Sequence, residues 1–136
     1  MAIETSLSSS FQKYQFTDDG DVIASFRMNP ADVKLAQRLQ NAGAFFEELG
    51  DKLPENATLD DVIQFNDSIE EKVCEILGYD ARASLFGMIS ATSIMADGNM
   101  FVFHVMDTIK EHALPGIEKR NKAMAAAVAK HTAKYE

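Results

Sequence analysis

Residues 11–26 read Phe-Gln-Lys-Tyr-Gln-Phe-Thr-Asp-Asp-Gly-Asp-Val-Ile-Ala-Ser-Phe, and their pattern decides the fold class. Aromatic and β-branched residues stand on both sides of an Asp-Gly pair, which predicts a β-hairpin over residues 11–27. Phe11, Lys13 and Gln15 alternate with Gln12, Tyr14 and Phe16, the period of a strand. Asp18, Asp19 and Asp21 superficially suggest a calcium loop, but the later ligands and the distal Glu of such a loop do not follow. Residues 1–10, ending Ser-Leu-Ser-Ser-Ser, lack any period and are expected to form a flexible arm.

Everything downstream reads as helix. Asn29-Pro30 offers a capping side chain and a first-turn proline, so a helix is expected over residues 30–49, with Val33, Ala36, Leu39, Ala42, Phe46 and Leu49 inward. Gly50 and Pro54 end it. Thr58-Leu59-Asp60-Asp61 is a variant capping box opening a second helix, with Leu59, Val62, Ile63, Ile69, Val73, Ile76 and Leu77 inward. Its outer face is expected to carry Asp60, Asp61, Asp67, Glu70, Glu71 and Glu75. Asp80 is placed to cap a further helix at Ala81. The methionine-rich stretch from Leu85 to Met106 predicts two short core helices joined at Asp97-Gly98-Asn99, with Asp97 or Asn99 capping the second. Pro115 must kink or end the helix that begins near Met100. The alanine- and lysine-rich segment 116–134 is the strongest intrinsic helix former, yet has few large side chains to bury. The expected fold is α+β, mainly α-helical: one domain over residues 11–136, with the hairpin, a helical body at 30–113 and a terminal helix, four to five helices in all.

A chain of 136 residues suits a single core. Net charge is −8, which disfavours a protein that grips nucleic acid or an anionic membrane. The charge is uneven: residues 1–80 hold 6 basic and 16 acidic groups, or −10, and residues 81–136 hold 7 and 5, or +2. An acidic face of this kind keeps a chain dispersed in water and also favours a basic partner. Cys74 is the single cysteine, which excludes an internal disulfide framework and a multi-cysteine zinc site. No basic-plus-apolar signal precedes the body, so a cytosolic chain is expected. The apolar stretch is interrupted at Asp97-Gly98-Asn99 and is too short to span a bilayer.

No catalytic, cofactor-binding or metal-ligating constellation is apparent. His104 and His112 lie eight residues apart, about two helical turns, too far for one metal ion. The glycines form no phosphate loop, and Ser84, Ser90 and Ser93 have no nucleophile-elbow context. An enzyme would require a pocket gathered around His104 and Asp107. What remains is protein binding: Met88, Met95, Phe101 and Phe103 as apolar contact candidates, Lys119, Arg120 and Lys122 as basic ones, and the acidic helix face.

The order of elements resembles the tail assembly chaperones of long-tailed phages and prophages of Gram-positive bacteria. The resemblance is carried by the hairpin running into Phe26-Arg27-Met28-Asn29-Pro30, by Asp80-Ala81-Arg82-Ala83-Ser84-Leu85-Phe86-Gly87, by Ala96-Asp97-Gly98-Asn99 through Phe103, and by Pro115-Gly116-Ile117-Glu118-Lys119-Arg120. It implies a non-enzymatic chaperone, without cofactors, that binds and solubilises the tape measure protein and helps recruit the major tail tube protein. It also implies self-association, residence in the bacterial host cytoplasm rather than the mature virion, and correspondence to the short form of proteins often made in two forms by frameshifting. The alternative is a small acidic helical interaction or regulatory domain with another partner. A DNA-binding regulator finds support only in the basic run at residues 119–134.

Overall fold

The computed structural model describes residues 1–7 and 10–132. Residues 8–9 of the expected arm and 133–134 of the expected terminal helix lie outside the described residues. The architecture is α+β and mainly helical: an antiparallel two-stranded hairpin followed by helical segments, as the sequence predicts.

The hairpin pairs β1 (Gln12–Asp18) with β2 (Asp21–Met28), and Asp18 opposes Asp21 across a two-residue turn. Asp19 and Gly20 both have positive φ, 49° and 84°, the backbone that a tight hairpin turn needs and that glycine adopts without strain. Phe16 opposes Ala24 while Thr17 opposes Val22, so Ile23 is an extra residue at a bulge. Tyr14, Phe16, Ala24, Phe26 and Met28 face the core. The Tyr14 ring stacks on Phe26 at 5.1 Å, and Phe16 meets Phe101 edge to face at 5.3 Å.

The helix expected over residues 30–49 is shorter and broken. Asn29 and Pro30 form a turn in which Asn29 Oδ1 accepts from the Ala31 amide, and Asp32 is the true cap of α1 (Val33–Asn41). Leu35 is buried there and Val33 is exposed, a correction of the expected inner stripe that follows from the later start. The short α2 (Gly43–Glu47) and a 3-10 turn at Leu49–Asp51 complete the segment.

In α3 (Leu59–Leu77) the capping box is present: the Asp61 amide donates to Thr58 Oγ1 and the Thr58 amide to Asp61 Oδ2. Its C-terminal half buries Ile69, Val73, Ile76 and Leu77. Its first turns do not reach the core. Leu59 (75 % exposed), Val62 and Ile63 stand at the surface, contrary to the expected stripe, and with Leu53 they are among the large apolar side chains that solvent reaches. The helix stops at Gly78, φ 82°, where Arg38 of α1 donates Nε to the Ile76 carbonyl at 2.7 Å and thereby caps it from a neighbouring element.

Asp80 accepts from the Arg82 amide and opens α4 (Arg82–Leu85), a single turn. The first of the two helices expected between residues 85 and 106 goes no further than this. Residues 86–100 form an irregular loop, and the reason is tertiary: amides at its centre bond to side chains of α3 in place of carbonyls one turn back. Ala91 N–H donates to Glu70 Oε2, and Thr92 N–H to Asn66 Oδ1. In turn the carbonyls of Ala91 and Ser93 accept from the Val102 and Phe101 amides. The loop therefore caps α5 (Phe101–Thr132) with its own backbone, in place of the side-chain cap expected from Asp97 or Asn99.

Helix α5 runs through Pro115 without ending, so the terminal helix is the continuation of the body helix and not a separate element. Phe101, Val102, Val105, Met106, Ile109 and Ala113 bury one face. Gly116 lets the Pro30 backbone approach so closely that a Cβ there would lie 2.3 Å from the Pro30 carbonyl oxygen. Among the described residues no helix is long and apolar enough to cross a membrane.

Candidate functional site

The bulge in β2, the turn at residues 95–99 and the first three turns of α5 enclose an open groove of about 540 Å³. Its floor is apolar: Phe16, Ile23, Met95 and Phe101. Each side chain is placed by a local rule. The bulge brings Ile23 into the groove beside Thr17. The Gly98 turn, φ 88°, holds Met95 through the Met95 N–H donated to the Asn99 carbonyl at 2.8 Å. The rim is acidic. Asp97, Asp107 and Glu111 all line it, together with His104 and Thr108. Positions 104, 107, 108 and 111 share one face of a 3.6-residue helix, so α5 presents this row as a unit.

Asp97 is the organising carboxylate. Its Oδ1 accepts from the Asn99 amide at 3.0 Å, and its Oδ2 lies 2.9 Å from His104 Nε2. The Asn99 amide first, and His104 after it, hold its carboxyl below the usual carboxylate range. Across the hairpin, burial pushes the Tyr14 phenol up. Thr108 Oγ1 donates to the His104 carbonyl, which occupies that hydroxyl. His104 and Asp107 thus share a groove, the arrangement an enzyme would require. Cys74 is half-buried and lines a different depression, beside Glu71, Glu75 and Tyr79. Among the described residues no group of three His, Cys, Asp or Glu side chains could hold a metal ion.

The residues singled out from the sequence do not form one surface. Met88 stands on the loop, 73 % exposed; Met95 lines the groove, half-buried; Phe103, 38 % exposed, lines a separate cleft with Leu39, Phe46 and Met106. Phe101 is 2 % exposed and belongs to the core, a correction forced by its edge contacts with Phe16 and Phe86. Lys119 and Lys122 are exposed further along α5, while Arg120 is half-buried and donates to Asn121 Oδ1.

The acidic face of α3 also needs correction. Asp60, Asp67, Glu71 and Glu75 are exposed, Glu75 pairing with Lys72 at 2.9 Å. Asp61 is committed to the capping box. Glu70 points inward, 8 % exposed, accepting from Asn66 Nδ2 at 2.8 Å and from the Ala91 amide at 3.2 Å. A carboxylate can be buried when hydrogen bonds replace its water, and this one ties α3 to the loop that caps α5. From the sequence, Asp97 is expected only as a helix cap and Asp107 only beside His104 in an enzyme pocket, while Glu111 is not singled out. The signal was the spacing His104, Asp107, Glu111, hidden because residues 81–136 as a whole sum to +2.

No protein-family model, no curated protein and no solved structure matches this chain.

Proposed function

We propose that the protein is a non-enzymatic tail assembly chaperone of a phage or prophage, working in the bacterial cytoplasm, whose groove receives an amphipathic helix of the tape measure protein. The observation that supports it is the pairing of an apolar floor, Phe16, Ile23 and Met95 backed by the buried Phe101, with three rim carboxylates, Asp97, Asp107 and Glu111. Such a groove suits a helix with one apolar edge and flanking lysines or arginines. Exposed Met88, on the loop and outside the groove lining, is a separate apolar contact that can adapt its shape to varied partners. While the groove covers the apolar edge, the acidic groups on α3 keep the complex hydrated. Help in recruiting the tail tube protein, and self-association along the client, complete the proposal.

The test is coexpression with the long helical protein encoded immediately downstream. The client is expected to move from the insoluble to the soluble fraction and to copurify. The double variant Asp107→Lys/Glu111→Lys, altered only at exposed positions, is expected to lose most of that rescue. A client that remains insoluble with the native protein, or is rescued equally by the double variant, would overturn the assignment.

A further inference from the structure

Beyond Gly116, α5 leaves the body, and every residue from 121 to 132 is exposed. Its large apolar side chains and one asparagine keep a heptad spacing among the alanines. Leu114, Ile117, Asn121, Met124 and Val128 are separated by steps of three, four, three and four. That is the seam of a two-stranded coiled coil, with Leu114, Asn121 and Val128 at a positions and Ile117 and Met124 at d. The seam does not face the body: Ala113 and Gly116, which do, each precede a seam residue, so it is turned about 100° away from them. Leu114 is 67 % exposed, Met124 and Val128 are exposed with it, and Ile117, beside the contact at Gly116, is half-buried.

We propose that residues 114–128 pair with the same segment of a second copy of this chain as a parallel, in-register coiled coil keyed by Asn121. Three observations select that occupant. Lys119, Lys122 and Lys130 fall at outer f, b and c positions, so two copies bring no lysine onto the seam. Ala125 and Ala127, flanking the second heptad, let two helices approach closely. Asn121 is the decisive residue: a carboxamide both donates and accepts, so two of them satisfy each other across an a layer. An antiparallel pair sets a positions against d positions, so Asn121 would face Ile117 or Met124, where a buried amide has no partner. In the single chain its Oδ1 accepts from Arg120 Nη1 at 3.2 Å, a surface contact that leaves its amide donors for the second copy. Two heptads would not hold an isolated helix together, but here the packed half of α5 already templates the exposed half.

This gives the self-association of the proposed function a surface without depending on that function. Its tests contain no client, so their failure would leave client capture untouched. Sedimentation equilibrium of the full chain is expected to give twice the mass of one chain. Val128→Asp and Met124→Asp are each expected to give monomers with an unchanged cooperative melt of the body, since both positions are exposed. Asn121→Leu is expected to yield species heavier than a dimer. In a Cys74→Ser background, Met124→Cys is expected to oxidise to a covalent dimer at least tenfold faster than Lys119→Cys. A monomeric native chain, a dimer that survives Val128→Asp, an unchanged dimer in Asn121→Leu, or equal rates for the two cysteine variants would overturn the proposal.

Discussion

Glu70 connects three elements through one carboxylate. Its Oε2 receives the Asn66 amide group and the Ala91 N–H, and the Ala91 carbonyl receives the Val102 N–H that starts α5. Glu70→Ala removes the shared acceptor and leaves a buried amide without a partner. That costs about 1–3 kcal/mol. Glu71→Ala, one residue on and exposed, is expected to stay within about 0.5 kcal/mol. Urea midpoints of the two variants check the contrast, and equal midpoints would show that the α3 junction does not depend on Glu70. Asp97 supplies a pH-dependent counterpart. Its folded carboxyl is held low, chiefly by the Asn99 amide and then by His104, so its contribution is complete above the unfolded value, about 3.9, and is lost as pH falls through the lower folded one. The stability difference between the native protein and Asp97→Asn is therefore expected at neutral pH and to shrink below about pH 4. Denaturation curves across that range should show the convergence, and a constant difference would contradict it.

Among the elements, those built from local rules could be read from the chain alone. The Asp-Gly turn and the Thr58–Asp61 box are complete within a few residues, and both form as expected. The loop at 86–100 was not legible, because its apolar composition matches a helix while its amides find tertiary partners on Glu70 and Asn66. Pro115 does not end α5 for a related reason: it removes one amide, but on one side of it Ala113 is buried and on the other Gly116 lies against Pro30. Gly116→Ala sets two effects against each other. Alanine gains about 1 kcal/mol of helix propensity, whereas a Cβ placed 2.3 Å from a backbone oxygen forces α5 away from the Asn29-Pro30 turn, and overpacking of this kind costs about 1–3 kcal/mol or more. The clash is expected to win, giving a lower thermal midpoint. Gly43→Ala, which meets nothing within 4 Å, is expected to be neutral or stabilising by up to about 1 kcal/mol. A rise in midpoint for Gly116→Ala would mean that the helix does not press on Pro30.

For the molecule as a whole, what matters is the placement of charge more than its sum. The −8 belongs in bulk to the first 80 residues, yet the groove draws its carboxylates from residues 81–136, which sum to +2. Along α5, Asp107 and Glu111 sit beside the apolar floor, and Lys119, Arg120, Lys122 and Lys130 lie beyond it, so the helix is acidic where it meets the body and basic where it projects. A basic client in the groove is then attracted by exposed charges, which salt screens over about 8–10 Å at ordinary ionic strength. Apolar contact with Phe16, Ile23 and Met95 is not screened in that way. Titrating a lysine-flanked amphipathic peptide from the client at rising salt should show affinity falling toward a plateau set by the apolar floor. With Asp107→Lys/Glu111→Lys the dependence should flatten or reverse, while Ile23→Ala should lower the plateau and keep the slope. Parallel slopes in the native and double-variant proteins would place the client elsewhere, the exposed Leu59, Val62 and Ile63 of α3 being the surface to examine next.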